Sequence, residues 1–231
     1  MSVGLIIFSR YDSSRLPGKA LLKVAGKCLL GRVIERSRLV SHKVDLVVAT
    51  SSRVVDDPIA KFAREQGVTV FRGDAFDVRR RALDCCAEFG FSYFGRVCGD
   101  SPILLPSIWD EAFDLAESGR YDLVTNTFPR SFPVGMSVEV FRVSALAKSK
   151  NVDSGETARE HLGSSFYSLP GEFSIRNILF SKRDASGIQA AVDTSSDLLK
   201  IDQFFKDYEL NLKNMSISQI VDALDPRIEQ K

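Results

Sequence analysis

The sequence predicts an α/β fold in which helices cover both faces of a mostly parallel sheet. Short apolar runs rich in Val and Ile alternate with amphipathic stretches through the first half of the chain. Such runs are typical of strands that are buried on both faces. A repeated strand, helix, strand order implies parallel strands joined by crossover helices. The rhythm breaks after residue 128, and this break predicts an antiparallel element inserted into the sheet.

In the first half of the chain, short apolar runs predict the strands, and stretches in which apolar residues recur every three or four positions predict the helices. The first two strands are the runs VGLIIF and VDLVVA. The strands are predicted at residues 3–8, 44–49, 68–71, 93–98 and 122–125. The helices between them are predicted at residues 29–39, 56–66, 77–89 and 107–118. In the third helix, Val78, Ala82, Cys85 and Phe89 form one apolar stripe.

In the second half, two prolines and a glycine in FPRSFPVGM predict a loop. The alternating pattern of VEVF favours a strand, which is the expected antiparallel element. The remaining predictions are strands at residues 138–141 and 189–192, an extended segment at 173–180, and helices at 154–164 and 198–208. The chain contains no internal repeat or linker, so we expect a single domain over residues 1–231.

The segment RYDSSRLPGK follows the first predicted strand directly. In open α/β sheets, ligands bind beyond the carboxyl ends of the strands. The basic residues expected to face that crevice are Arg10, Arg15 and Lys19. Pro17 fixes its own φ and Gly18 permits a tight turn, so the loop can surround an anion at small entropic cost. A solvated loop is the alternative, but the position of the turn favours a polyphosphate site.

Two common nucleotide-binding motifs are absent from the sequence. The pattern GxxxxGK[ST] of a phosphate loop fails around Gly26, because Leu21 holds its first position and Cys28 its last. No GxGxxG motif follows a predicted strand, which disfavours a dinucleotide oxidoreductase. Gly26 and Lys27 are instead expected to form a turn before the next helix.

Composition excludes several classes of partner. The formal net charge of +1 over 231 residues provides no overall field for nucleic acid or an anionic membrane. A small anionic ligand bound locally is therefore expected. The sequence has no signal-peptide pattern and no stretch near the ~18 apolar residues of a membrane span, so we expect a cytoplasmic protein. With four cysteines, no CxxC pair and two histidines, a structural zinc site is not expected.

Two aspartates follow strands that are expected to end near the first loop. Asp100 follows the fourth strand in CGDSP, and Asp193 follows the last predicted strand. Each could instead cap the next helix, although Ser107 is a better N-cap for the first of these helices and Thr194 is an alternative for the second. Mg²⁺ is usually held by one or two carboxylates together with substrate phosphates. The pattern therefore predicts a Mg²⁺ site at Asp100 and Asp193.

Seven segments carry a resemblance that runs through most of the chain. They are RYDSSRLPGK, VVAT, VFRGDAFDV, RVCGDSP, TNTFPRSFPVGMSVEVF, REH and VDTSSDL. Together they resemble the cytidylyltransferases that activate acidic sugars, such as the CMP-Kdo and CMP-sialic acid synthetases, and above all their relatives of the spore-coat polysaccharide biosynthesis protein F type. The resemblance implies a three-layer Rossmann-like nucleotide-diphospho-sugar transferase fold. It also implies that residues 128–180 form an insertion for acceptor binding and dimerisation.

The same resemblance implies roles for individual residues. The residues implied in catalysis are Arg10, Lys19, Asp100 and Asp193, the two aspartates as Mg²⁺ ligands. The implied nucleotide ligands are Arg10, Ser13, Arg15, Lys19, Arg72, Asp77 and Cys98. The implied acceptor ligands are Asn126, Glu139, Arg159 and His161, and a structural hydrogen-bonding role is an equal alternative for each of them.

Arg81 lies at the edge of an apolar helical stripe, where an unpaired charge would be costly. An anion or Asp77 is expected to satisfy it. Its neighbours Arg79 and Arg80 are expected to be solvated.

The chain also departs from the family pattern. Cys98 stands where the CMP-Kdo synthetases have the Gln that contacts nucleobase and ribose, so the preference for cytosine stays open. Val134 and Ser137 replace two acidic residues of the spore-coat type, which leaves the acceptor open. Ser195 and Ser196 replace the usual Pro-Glu and are expected to alter the helix cap rather than the metal site.

We therefore expect a Mg²⁺-dependent transferase that moves CMP from CTP to a Kdo-like or nonulosonate-like sugar and releases pyrophosphate. The alternatives are another base, a sugar 1-phosphate acceptor or a non-catalytic nucleotide-binding homologue. A glycosyltransferase is disfavoured because no two aspartates are separated by one residue. The resemblance implies a homodimer. Its apolar contact surface is expected from Phe128, Phe132, Met136, Phe166 and Tyr167.

Overall fold

The computed structural model describes residues 2–149 and 159–225 of the chain. The strands are β1 (Ser2–Phe8), β2 (Lys23–Val24), β3 (Lys27–Cys28), β4 (Asp45–Ser51), β5 (Thr69–Gly73), β6 (Phe91–Cys98), β7 (Leu123–Thr125), β8 (Glu139–Arg142) and β9 (Ile175–Asn177). The helices are α1 (Leu29–Ser37), α2 (Asp57–Glu65), α3 (Val78–Phe89), α4 (Pro106–Glu117), α5 (Val143–Ser149), α6 (Ser164–Ser168), α7 (Ser195–Tyr208) and α8 (Ile217–Leu224). Short 3₁₀ turns cover Lys19–Leu21, Val54–Asp56 and Pro170–Glu172.

Seven of the strands form one sheet in the order β5-β4-β1-β6-β8-β7-β9, and β2 and β3 form a separate hairpin. Neighbours in the large sheet are parallel except at β8, which runs antiparallel to both β6 and β7. The prediction of a mostly parallel sheet with an antiparallel insertion is therefore confirmed. Because β1 has β4 on one side and β6 on the other, the strand order reverses here. A crevice opens at such a reversal, beyond the carboxyl ends of the two strands.

The core lies on both faces of the sheet, because successive side chains of a strand point to opposite faces. Leu5 and Ile7 of β1 belong to a large apolar cluster with α1, α2, α4, α7 and α8. Ile6 belongs to a second cluster with α3, α5 and α6. These two helical layers around one sheet confirm the three-layer architecture.

The strand predicted at residues 189–192 is wrong. Gln189 forms only an isolated bridge with Val134. The segment is largely buried, and its main chain bonds to loops instead of a sheet strand. Ala190 N donates to Val134 O at 2.7 Å, and Val192 N donates to Asp100 O at 2.9 Å. These bonds fix the approach of the chain to Asp193.

Several smaller expectations also need correction. Residues 154–158 of the helix predicted at 154–164 lie outside the described residues; residues 159–160 are helical, and α6 begins at Ser164. Leu105, and not Ser107, is the N-cap of α4, with a proline in its first turn. Arg79 was expected to be solvated, but it is buried.

The apolar surface expected for a dimer is also revised. Phe132, Met136 and Phe166 are almost fully buried, because Phe132 and Met136 pack into the large apolar cluster and Phe166 of α6 packs into the second one. Phe128 remains partly exposed and stacks on Tyr167 with ring centroids 4.8 Å apart. Within residues 2–149 and 159–225, no helix is both long and apolar enough to cross a membrane.

Candidate active site

A cavity of about 350 Å³ opens at the carboxyl ends of β1 and β6. This is the reversal point of the strand order, where α/β sheets bind their ligands. The predicted site residues that line it are Arg10, Ser13, Arg15, Lys19, Cys98, Asp100, His161 and Asp193. The structure thus brings together the first loop, the end of β6 and the segment before α7, as the sequence predicted.

The loop after β1 is shaped by its main chain. Gly18 has a φ of 71°, in the left-handed region that glycine adopts without strain, and its N–H donates to Tyr11 O at 2.7 Å. The N–H of Tyr11 donates to Asp56 Oδ1 at 2.7 Å, which ties the loop to the turn after β4. The loop therefore closes on itself and directs the next side chain, Lys19, into the cavity.

The ammonium of Lys19 joins the two predicted metal ligands. Its Nζ lies 2.7 Å from Asp100 Oδ2 and 3.0 Å from Asp193 Oδ1, and it also donates to Val192 O at 2.8 Å. Only 11% of the Lys19 side chain is exposed. Arg15 adds a second cation, with Nη2 2.9 Å from Asp193 Oδ1. The two carboxylates therefore converge on one point of the cavity.

Asp193 is available for this contact because it is not the helix cap. Thr194 is the N-cap of α7, and its side chain and that of Asp197 form a reciprocal capping box. Of the two residues that could cap this helix, Asp193 and Thr194, the cap is therefore Thr194. The main-chain bond from Val192 to Asp100 holds the two aspartate segments side by side.

Burial and ion pairing oppose each other at this cluster. Burial disfavours the charged form of Lys19, but the charge of Asp100 and hydrogen bonds to both carboxylates outweigh it and raise the pKa of Lys19. Burial alone would raise the pKa of Asp193, yet the bonds and charges of Lys19 and Arg15 lower it. Burial raises the pKa of the Cys98 thiol, so this side chain is neutral at pH 7.

The chemistry of Asp100 and Asp193 fits a divalent cation. Both carboxylates bind a single ammonium, so their oxygens are close enough to share one cation. In the described part of the chain, no cluster of three or more His, Cys, Asp or Glu side chains is arranged to hold a metal. Two carboxylates without further protein ligands match the way in which Mg²⁺ is bound together with substrate phosphates.

Arg10 faces the same cavity from the loop after β1 and is paired with a carboxylate from a distant segment. Its Nη2 lies 3.1 Å from Glu160 Oε1, and both side chains are about half exposed, at 43% and 51%. Exposed pairs of this kind contribute little, ~0–1 kcal/mol. A phosphate can therefore replace Glu160 at Arg10 at small cost.

Arg81 is a buried cation at the wall of the cavity. It is 3% exposed, and its Nε has no hydrogen-bond partner among residues 2–149 and 159–225. Its Nη1 donates to Asp74 O at 2.7 Å, and its guanidinium lies 5.8 Å from the ring centre of Phe8. Burial, and next the charge of Arg10, lower the pKa of Arg81. A buried guanidinium that no carboxylate bonds is a strong candidate for binding an anion.

Two of the predicted nucleotide ligands do not line the cavity. The guanidinium of Arg72 bonds to Ser51 O, Arg53 O and Asp57 Oδ1, and thereby connects β4, β5 and α2. Asp77 is the N-cap of α3 and accepts the N–H of Arg80. In this structure both have local structural contacts.

The predicted acceptor ligands also differ in whether they line the cavity. His161 lines the cavity, whereas Arg159 is exposed and does not. Asn126 is fully buried and bonds through both amide atoms to the main chain of Met136 and Val138, which is the structural alternative. Glu139 is buried at 4% exposure beneath the cavity wall.

Sequence reasoning missed five polar residues that line the cavity: Ser9, Ser14, Arg81, Arg96 and Glu160. Arg81 was singled out for its place on the apolar stripe, but not as a cavity residue. Arg96 could have been found from the two-residue period of β6, because it shares a face with Cys98. Glu160 carried no signal beyond its place in REH, since a pair 150 residues apart in sequence is invisible before folding.

The fold and this cavity together are those of a nucleotidyltransferase. A family model described as cytidylyltransferase matches residues 5–222, and the chain therefore belongs to the cytidylyltransferase family. The resemblance drawn from the motifs is confirmed.

Individual relatives support the same conclusion. The chain is similar to a cytidylyltransferase structure from Leptospira borgpetersenii, with a TM-score of 0.88 and 30% identity, over all of this chain and 94% of that one. It is 26% identical to a spore coat polysaccharide biosynthesis protein of Bacillus subtilis over 208 residues, which are 87% of this chain and 85% of the relative. It is 31% identical to a 3-deoxy-manno-octulosonate cytidylyltransferase of Aeromonas salmonicida over 151 residues, which are 63% and 56% of the two chains.

Proposed function

We propose that this protein transfers CMP from CTP to an acidic sugar with Mg²⁺ as cofactor and releases pyrophosphate. The observation that supports the proposal best is the contact of Lys19 with both Asp100 and Asp193 at the reversal point of the sheet. A cation between two carboxylates, beside further basic side chains, is suited to a chelated triphosphate. The name of the Aeromonas relative supports an octulosonate or a similar acid as acceptor.

In the proposed reaction, a hydroxyl of the sugar attacks the α-phosphorus of CTP. A new P–O bond forms, the bond to the bridging oxygen breaks, and the hydroxyl proton passes to solvent. Asp100 and Asp193 would hold the metal, which would lower the pKa of the attacking hydroxyl and offset charge on the phosphates. Lys19 and Arg10 stabilise the charge that grows on the departing pyrophosphate.

The other cavity residues bind and orient the nucleotide in this proposal. Ser13, Arg15 and Cys98 contact it from the first loop and the end of β6, and Arg81 donates its unpartnered Nε to an anionic or carbonyl oxygen. Arg72 and Asp77 act indirectly, by holding β5 and α3.

His161, Glu139 and Arg159 are proposed to serve the acceptor, and Asn126 to hold the loop before β8. Residues 128–180 are proposed as the insertion that binds the acceptor and forms a homodimer, with exposed Phe128 at its surface.

Replacing one metal ligand tests the proposal. Asp100→Asn should reduce turnover by ~10²–10³-fold, because the transition state loses an electrostatic contact, while thermal unfolding is nearly unchanged. The measurement is pyrophosphate release from CTP and 3-deoxy-manno-octulosonate with Mg²⁺. Asp114→Asn is the control, since the Asp114 side chain is 78% exposed on α4. Near-normal pyrophosphate release by Asp100→Asn would refute the assignment.

A screen of the four nucleoside triphosphates against ulosonic acids and sugar 1-phosphates tests the choice of substrates. We expect turnover only when CTP is combined with an ulosonic acid. Turnover only with another base or with a sugar 1-phosphate identifies a different nucleotidyltransferase. Binding of CTP by calorimetry without turnover on any acceptor identifies a non-catalytic homologue.

A further inference from the structure

Asp56 is a fully buried carboxylate in the 3₁₀ turn after β4, and it does not line the cavity at the ends of β1 and β6. A buried carboxylate is costly unless hydrogen bonds and a cation compensate it. Its Oδ1 accepts the N–H of Tyr11 at 2.7 Å. Its Oδ2 accepts the hydroxyl of Ser51 and lies 3.4 Å from Nη2 of Arg53. One of the two oxygens therefore holds the main chain of the first loop.

The residue that Asp56 holds organises the rest of this loop. The N–H of Tyr11 is bound by Asp56, and the carbonyl of Tyr11 accepts the N–H of Gly18 at 2.7 Å. Arg10 directly precedes Tyr11, and Lys19 directly follows Gly18. The position of Tyr11 thus sets where the side chains of Arg10 and Lys19 begin. These are the two cations proposed to stabilise the departing pyrophosphate.

A salt bridge nearer the surface joins the same two segments. Nη2 of Arg53 lies 2.7 Å from Oδ2 of Asp12, and the two side chains are 31% and 39% exposed. Exposed pairs of this kind contribute little. A hydrogen bond to a buried carboxylate is costly to lose, because the group left behind is not solvated. The contact between Asp56 and Tyr11 is therefore the stronger of the two connections.

The negative charge of Asp56 also acts on the cationic side of the cavity. Burial, and next the charge of Arg10, lower the pKa of Arg81, and the charge of Asp56 is the largest effect that opposes them. Removing this charge makes that side of the cavity more positive, which favours an anion. Loss of the charge and loss of the bond to Tyr11 therefore have opposite effects on a bound phosphate chain.

We propose that Asp56 is a positioning residue for the triphosphate, because it fixes Tyr11 and thereby places Arg10 and Lys19 at the cavity. The assignment rests on the proposed function and deepens it, since it identifies a residue outside the cavity on which phosphate binding depends. Asp56 itself touches neither nucleotide nor metal in this proposal. The group that the loop recognises is a phosphate chain, so inorganic pyrophosphate is a probe that is independent of the base.

The test compares two variants that lose the same charge. Asp56→Ala removes the charge and the acceptor together. Asp56→Asn removes the charge and keeps one acceptor oxygen. This oxygen faces Tyr11, because a main-chain N–H has a fixed direction, whereas the hydroxyl of Ser51 can rotate and accept from the new amide. Ser51→Ala is the matched control, because it is buried in the same network and its hydroxyl bonds the other oxygen of Asp56.

The readouts are the Kd values of pyrophosphate, CTP and CMP with Mg²⁺, measured by calorimetry, and a melting curve for each variant. Asp56→Ala should bind pyrophosphate and CTP about tenfold more weakly, or more, the usual effect of losing a hydrogen bond to a charged group. Its Kd for CMP should stay within about twofold of the wild type, because CMP lacks the two phosphates that Arg10 and Lys19 are proposed to hold.

Asp56→Asn should bind pyrophosphate as tightly as the wild type or more tightly, because the bond to Tyr11 remains and a negative charge is gone. Ser51→Ala should stay within about twofold of the wild type for every ligand. A role in stability alone would lower the melting temperatures and leave the ratio of the CTP and CMP affinities unchanged. Equal pyrophosphate affinities of Asp56→Ala and Asp56→Asn overturn the positioning role.

Asp56→Thr replaces the alanine variant if Asp56→Ala does not fold. Threonine fills most of the volume of the aspartate, and its hydroxyl is one bond shorter than the carboxylate that reaches Tyr11. The same loss of pyrophosphate affinity relative to Asp56→Asn is expected. Equal affinities of these two variants for pyrophosphate overturn the proposal in the same way.

Failure of the proposed function can be told apart from failure of this role. If the wild type binds pyrophosphate but not CTP, the proposed nucleotide is wrong, and the comparison of the variants with pyrophosphate still decides the role of Asp56. If the wild type binds CTP without turnover on any acceptor, the proposed transfer fails, and the same comparison decides. If the wild type binds neither CTP nor pyrophosphate, both proposals are overturned.

Discussion

Lys19 determines the geometry of the site because its single charge compensates two carboxylates. Without it, the like charges of Asp100 and Asp193 would lie close together in a partly buried place, which is unfavourable. With it, both carboxylates bind the same ammonium, and its hydrogen bond and charge contribute to the lowered pKa of Asp193. The ammonium therefore holds the two carboxylates in the arrangement that the proposed Mg²⁺ would need.

Arg81 allows a prediction that separates nucleotide binding from the metal ligands. Arg81→Gln should weaken CTP binding about tenfold or more, because the buried Nε loses its role as a charged donor. Calorimetry with CTP measures the effect, and a melting curve checks that the variant is folded. The control is Arg80→Gln, whose arginine is exposed and pairs with Asp84 on the surface of α3. Equal affinities of the two variants for CTP would exclude Arg81 from the nucleotide site.

At the residue level, the sequence predicted the charged residues of the first loop better than those within elements. Arg10, Arg15 and Lys19 stand out because three cations surround a Pro-Gly turn after an apolar run. For Asn126 the resemblance left an acceptor role and a structural role open, and its amide donates to Met136 O and accepts the N–H of Val138. Such a pairing depends on two chain segments that meet only after folding.

The segment at residues 188–192 shows what a sequence pattern can and cannot predict about an element. Its apolar residues correctly indicate a buried segment that ends at Asp193. The pattern does not identify the partner, because a loop offers the same main-chain groups as a strand. The partner is the loop before β8, through Val134 N to Ile188 O at 2.9 Å and Ala190 N to Val134 O at 2.7 Å.

Gly135 permits this contact and provides a prediction at the scale of the element. Its φ is 95°, and an added Cβ would lie 2.4 Å from Ala191 N and 2.6 Å from Ala190 C. Gly135→Ala should therefore push the segment away and displace Asp193. In urea unfolding, the free energy of unfolding should fall by well beyond the ~1–2 kcal/mol that an alanine in the left-handed region costs. The kcat for pyrophosphate release should also fall.

Gly119→Ala is the matched control for this prediction. Gly119 has a similar φ of 74°, but no heavy atom lies within 4 Å of its added Cβ. Gly119→Ala therefore introduces the same backbone strain as Gly135→Ala, but it adds no steric clash. If the two variants unfold at the same urea concentration and turn over equally, Gly135 does not position Asp193.

For the whole molecule, the prediction succeeded where local patterns determine topology. Buried parallel strands and amphipathic helices define β1, β4, β5, β6 and the helices between them, and crossovers have a fixed hand. The placement of β8 between β6 and β7 could not be deduced in the same way. Strands of three or four residues carry little pattern, and their neighbours are decided by long-range packing.

A charge cluster outside the cavity connects the end of α7 to the first part of the chain. Glu209, just after α7, accepts hydrogen bonds from Nη1 of Arg32 at 2.6 Å and from Nζ of Lys27 at 3.1 Å. Arg32 is 2% exposed and also lies over the ring of Phe205, 4.6 Å from its centre. Glu209 thus connects the β2 and β3 hairpin, α1 and the end of α7.

This cluster predicts how the stability of the whole protein depends on pH. The hydrogen bond from Arg32, and then that from Lys27, lower the pKa of Glu209 below its ordinary 4.5. Because the native pKa is the lower one, the unfolded chain binds this proton more tightly. The contribution of Glu209 is therefore complete above pH 4.5 and is lost as the pH falls through the native pKa. Glu209→Gln should lower the free energy of unfolding at pH 7 and converge with the wild type in acid.

Urea unfolding between pH 3 and pH 8 checks this, with Glu65→Gln as the control because Glu65 is 58% exposed and only 3.8 Å from its helical partner Lys61. The loss in Glu209→Gln should lie between the ~1 kcal/mol of an exposed pair and the ~3–5 kcal/mol of a buried one, since Arg32 is buried and Glu209 is not. Turnover per folded molecule should be unchanged, because Glu209 does not line the cavity. A constant difference between wild type and Glu209→Gln at every pH would show that the lost stability comes from packing and not from the charge of Glu209.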